Sequence, residues 1–81
     1  MTLGERIRKE RRGRDWTQSQ LADRIRTGSN KADAARVSRW EKSLAVPDPG
    51  QLASIANTFG WDLGASLRWA ADAQSALRAT A

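Results

Sequence analysis

Apolar residues recur along the chain three or four positions apart, and each run is bracketed by its own start and stop signals. Leu3 and Ile7 stand one helical turn apart, with Arg6, Arg8, Lys9 and Arg12 largely on the opposite side. Thr2 followed three residues later by Glu5 is a capping box, so the pattern predicts a helix over about 3–12 that ends at Gly13. Thr17 and Gln20 repeat the device ahead of Leu21, Ala22 and Ile25, which share one face of a second helix over about 18–26. Trp16, just before that cap, is placed to pack on Leu21 as a hydrophobic staple. Thr27 to Asn30 then reads as a turn.

Strong helix formers from Lys31 onward, a cap at Asn30 and an acid at Asp33 predict a third helix over about 31–42, with Val37 and Trp40 as its buried pair. Its other face carries Lys31, Ala34, Ala35, Ser38, Arg39 and Lys42, small and basic residues suited to a polar partner. Asp48, Pro49 and Gln51 supply cap, first-turn proline and capping-box partner for a fourth helix over about 49–59, whose core stripe is Leu52, Ile55, Ala56 and Phe59. Gly60 stops it. A fifth helix is expected over about 63–77, with Leu63, Leu67 and Ala70 or Ala71 as its inner line. No strand-like alternation and no internal repeat interrupts this order, so the expected fold is all-α: five short helices around one core, a single domain over residues 1–81.

Charge adds a direction to this frame. The chain carries a net +5, but Met1 to Lys42 holds 12 basic against 6 acidic residues, whereas Ser43 to Ala81 holds 2 against 3. A basic half is the electrostatic footprint of a nucleic-acid binder, because each neutralised phosphate releases condensed counterions. There is no cysteine and no histidine, which removes disulfides, thiolate chemistry and the commonest general base and zinc ligand. No nucleophile, base and carboxylate set is evident, so no catalytic residue, no metal site, no cofactor and no enzymatic activity are expected. No apolar run approaches the roughly 20 residues of a membrane span, and the expected location is the cytoplasm.

Three segments carry a resemblance: Leu3-Gly4-Glu5-Arg6-Ile7-Arg8, Trp16-Thr17-Gln18-Ser19-Gln20-Leu21-Ala22, and Val37-Ser38-Arg39-Trp40-Glu41-Lys42 followed by a proline-containing link. In this order they resemble the phage-repressor-like helix-turn-helix family, the Cro and C1 repressor type, from Leu3 to about Leu67. The resemblance implies that Gln18 contacts a phosphate and helps position a recognition helix; a helix N-terminus with free N–H groups suits that role. It also implies that the third helix enters the major groove, with Ala34, Ala35, Ser38 and Arg39 near base edges. Arg39 is the foremost candidate, its fork matching guanine O6 and N7, while Arg36 and Lys42 flank it toward phosphates. Glu41 is implied to pair with Arg11 as a structural contact, and Trp40, Trp16 and Trp61 are expected in the core.

Between Ala22 and Val37 the chain is several residues longer than the family's tight link. Either the loop is longer or the third helix gains a turn at its start, and the composition of Lys31 to Ala35 favours the second. In that case Asn30 and Lys31 become candidate DNA contacts, and Asp33 repels phosphate unless it turns inward or toward Arg36. The function implied is a sequence-specific transcriptional regulator, a repressor before an activator, binding double-stranded DNA as a homodimer on a near-palindromic operator. The nearly neutral carboxy-terminal helix, with Trp69, Ala65, Ala73 and Ala76 on one side, is the expected dimer surface. An antitoxin or a protein-interaction adaptor that keeps the same fold is the alternative.

Overall fold

Three of the described helices begin with a reciprocal capping box. In the computed structural model, which describes residues 1–26 and 32–80, Thr2, Thr17 and Asp48 each accept the backbone N–H three residues on, from Glu5, Gln20 and Gln51, at 2.8–3.1 Å. The Glu5, Gln20 and Gln51 side chains accept the cap residues' own N–H in return, so two N–H groups that the helix leaves orphaned are satisfied at each start. The helices that follow are α1 (Leu3–Gly13), α2 (Gln18–Ile25), α3 (Ala34–Glu41), α4 (Pro49–Phe59) and α5 (Leu63–Thr80). There is no strand among the described residues.

α3 starts later than the composition suggested. Ala32 and Asp33 are not helical; Asp33 is the N-cap, extended in backbone, and its carboxylate accepts the Arg36 N–H at 2.8 Å. A short side-chain acceptor ahead of a helix satisfies an orphan donor, and this local gain outweighs the helix propensity of the residues before it. Ala32 and Asp33 therefore belong to the connection rather than to α3. The expected turn at Thr27 to Asn30, the cap at Asn30 and the contacts of Asn30 and Lys31 lie outside the described residues. At the other end Lys42 is the C-cap rather than a helical residue, and Arg26 likewise caps α2. Two stops use non-glycine residues in the left-handed region, Asp15 at φ 57° after α1 and Ser43 at φ 60° after α3, whereas Gly60 at φ 72° closes α4 as expected.

One core joins α1 to α4, against which α5 packs: Leu3, Ile7, Leu21, Ala22, Ile25, Val37, Trp40, Leu52, Ile55 and Phe59, with Ala32 from the segment before α3. α2 packs on α3 and α4, and α1 packs on α3 and α5. The radius of gyration is 11.6 Å, close to the about 12 Å expected of a compact domain of this length. α1 crosses α3 closely enough that a side chain at Gly4 would run into the backbone carbonyls of Trp40 and Glu41. α5 runs to Thr80, and its inward line differs from the one expected: Ser66 is fully buried and Trp69, Ala70 and Ala73 pack on the core, while Leu63 and Leu67 stand about half exposed. Ser66 is tolerated inside because its hydroxyl donates to the Asp62 carbonyl at 2.9 Å.

Trp16, Phe59, Trp61 and Trp69 form a chain of ring contacts from the α1–α2 connection through the end of α4 to α5. Trp16 stacks on Phe59 with centroids 6.3 Å apart, Phe59 meets Trp61 at 5.2 Å, and Trp61 meets Trp69 edge-on at 5.2 Å. Arginines cover its outer side: Arg6 lies 4.0 Å over Trp69 and Arg24 lies 4.2 Å over Trp16. Trp69 thus covers the protein's own core with one part and lines an open cleft with another. No described helix is long and apolar enough to cross a membrane.

Candidate nucleic-acid interface

The buried side of α3 is Val37, Trp40 and Glu41, which turns Ala35 and Arg39 to the middle of its opposite face. Ala34 and Ser38 flank them half-buried on one side, Arg36 is exposed on the other, and Lys42 extends the face just past the last turn. Arg36, Arg39 and Lys42 form no ion pair with any described residue. Asp33, the N-cap of α3, accepts the Arg36 backbone N–H with one carboxylate oxygen. The result is a small-residue surface with three unpaired cations, able to approach a flat or grooved anionic partner without a bulky side chain in the way. Arg36 and Arg39 also border a polar cleft of about 330 Å³ with Asp48 and Gln51 at the start of α4.

Behind this face lies the one buried acid that organises three helices. The Glu41 side chain is completely covered, and Arg11 from α1 donates to both of its oxygens, Nε to Oε2 at 2.7 Å and Nη2 to Oε1 at 3.0 Å. The remaining Arg11 Nη1 donates to the Trp16 carbonyl at 2.8 Å, which ties the chain just ahead of α2 into the same cluster. Burial by itself disfavours the ionised Glu41, but the hydrogen bonds from Arg11 and Gln18 and the nearby Arg11 charge outweigh it and hold the carboxyl below its usual range. The same bond raises Arg11, against the opposing effect of its own desolvation. A fork-to-fork pair of this kind fixes orientation as well as charge.

Comparison with protein-family models, with curated proteins and with solved structures gives no match.

Gln18 is half-buried at the first position of α2, and its amide Nε2 points at Glu41 Oε1 at 3.4 Å. Thr17 takes the Gln20 N–H, and among the described residues nothing takes those of Gln18 and Ser19 in the first turn. Gln18 thus sits at the border between the buried cluster and an open helix start, next to the C-terminal turn of α3. Of the residues singled out in the sequence, Gln18, Ala34, Ala35, Arg36, Ser38, Arg39 and Lys42 come to α3 and the adjoining start of α2. The sequence pattern alone passed over Arg8, whose Nε lies 3.5 Å from the same Glu41 Oε1. Its spacing of three from Arg11 on α1 was the available signal, since residues at that spacing share a helix face.

Proposed function

We propose that the protein is a sequence-specific regulator of transcription that binds double-stranded DNA, with α2 and α3 as a helix-turn-helix of the phage-repressor type and α3 as its recognition helix. The observation that carries this reading is the outward face of α3: Arg36, Arg39 and Lys42 exposed among small residues, without an ion pair to any described residue, on the basic half of the chain. B-DNA's major groove admits one α-helix, and a helix enters it more deeply when the centre of its face is small. Arg39 at that centre gives a guanine two parallel hydrogen bonds, and the Ala35 methyl meets a thymine methyl. Arg36 and Lys42 flank this centre and Gln18 stands at the adjoining start of α2; all three suit phosphates, which position the helix without reading sequence.

A single module of this size buries too little DNA for high affinity, so the proposed species is a homodimer on a near-palindromic site. α5 supports this part: its Leu63 and Leu67 remain exposed on one flank, and on the other Trp69, Ala73, Ala76 and Leu77 line a cleft of about 400 Å³ with Leu3. Bound over a promoter, such a dimer excludes polymerase and represses.

Selection from random duplexes at moderate salt tests the reading. Enrichment of a two-fold motif with half-sites about one helical turn apart is the expected result. Binding that only fades with salt and enriches no motif overturns it and leaves a protein-binding adaptor in its place.

A further inference from the structure

The Glu41 cluster holds more positive charge than it needs. Arg11 alone neutralises Glu41, at 2.7 and 3.0 Å on both oxygens, with its guanidinium largely covered. Arg8 is a second cation on the same acid, but its contact is a single one at 3.5 Å and its side chain is 42% exposed. An exposed contact of that length contributes little, so Arg8 can leave Glu41 at small cost while Arg11 keeps the buried carboxylate satisfied. Arg8 is thus a cation tethered at a fixed place without being consumed there.

That place is specific. Arg8 Nε and Gln18 Nε2 converge on one oxygen, Glu41 Oε1, at 3.5 and 3.4 Å, so the two nitrogens lie no more than about 7 Å apart, within reach of the same phosphate. Lys9 and Arg12, the other exposed cations of this stretch of α1, have no such contact with α2 or α3. Resting on the DNA-binding reading, we infer that Arg8 is a further backbone-contacting residue: it exchanges Glu41 for a DNA phosphate beside Gln18 on binding. The buried pair then does two things at once, since Glu41 holds Arg8 within reach and Arg11 makes its release inexpensive. The ligand is a phosphodiester, so Arg8 adds affinity and orientation but no base preference.

The salt dependence of duplex binding separates this from a structural role. For Arg8→Gln, the slope of log affinity against log salt becomes shallower by about 0.9, the counterion stoichiometry of one phosphate, on selected and unselected duplexes alike. Between 50 and 200 mM salt the advantage of the wild type over Arg8→Gln accordingly shrinks by about three- to four-fold. Arg8→Lys keeps the wild-type slope, and Lys9→Gln, which removes the same charge elsewhere on α1, leaves it nearly unchanged. A wild-type slope in Arg8→Gln, with motif-specific binding intact, overturns the Arg8 assignment and leaves the DNA reading standing. A wild type that enriches no motif overturns the DNA reading and the Arg8 assignment with it. The Nε–Hε resonance of Arg8 in the wild-type protein gives a second measurement that needs no folded variant. It shifts on adding duplex while that of Arg11 stays in place, and an unmoved Arg8 signal contradicts the inference.

Discussion

Replacing Gly4 by alanine is the sharpest mechanical test of how α1 and α3 are joined. Inside a helix this change ordinarily stabilises by about 0.5–1 kcal/mol, because alanine loses less backbone freedom on folding. Here the added carbon meets the Trp40 carbonyl oxygen in a hard overlap and the Glu41 carbonyl oxygen at 2.9 Å. Both are backbone atoms of α3's last turn, and neither can rotate away as a side chain would. The helices must separate, which disturbs the packing of Leu3, Ile7 and Trp40 and the reach of Arg11 to Glu41. Overpacking of this kind costs about 1–3 kcal/mol, enough to reverse the usual sign. In a domain of this size that corresponds to a fall in melting temperature of roughly 5–20 °C. Thermal unfolding followed by circular dichroism measures it, with Gly50→Ala as the matched control. A carbon at Gly50 meets only the Asp48 carboxylate, at 3.5 Å, so that variant is expected to hold or gain stability. Equal or higher stability of Gly4→Ala would refute the close crossing.

Arg11→Met leaves Glu41 buried with only Arg8 and Gln18 near it, and is expected to cost about 3 kcal/mol in urea unfolding; a loss under 1 kcal/mol contradicts the central role of the pair. Because Glu41 is held below its usual range in the folded protein, its contribution is fully present above the unfolded value of 4.5 and is lost as pH falls through the lower folded value. Urea midpoints of the wild type should therefore drop below that pH more steeply than those of Glu41→Gln, and parallel profiles would count against the assignment. The register of α5 is checked by Trp69→Ala, expected to cost about 2 kcal/mol or more, beside Leu67→Ala, expected to stay within about 0.5 kcal/mol at protein concentrations too low for association; the reverse order restores the Leu63 and Leu67 line to the core.

Most of the helical frame was legible because its starts are local. A capping box is written within four residues and needs no tertiary partner, so α1, α2 and α4 begin where Thr2, Thr17 and Asp48 place them. The start of α3 was not legible because Lys31, Ala32, Ala34 and Ala35 favour a helix by propensity and Asp33 suits a first turn by charge, while the capping bond of Asp33 to the Arg36 N–H makes it the residue before the helix. The register of α5 was hidden for another reason. With apolar residues distributed around most of that helix, periodicity offers two stripes, and the choice falls to the aromatic contacts of Trp69 with Trp61 and Arg6, which only the folded chain brings together. At the candidate interface the outward residues of α3 followed from Val37 and Trp40 being buried. The placement of Arg8 beside Gln18 did not, since it depends on the crossing of α1, α2 and α3 at one carboxylate.

Under the proposed function the outward face of α3 reads base edges, with Arg39 at its middle. The most direct measurement is duplex selection with the wild type and Arg39→Ala side by side, read position by position. Arg39→Ala is expected to lose preference for guanine at one symmetric position in each half-site, by about 1–3 kcal/mol, while the remaining positions keep theirs. An unchanged motif, or a uniform loss of affinity across all sequences, would contradict it and reduce Arg39 to a phosphate contact.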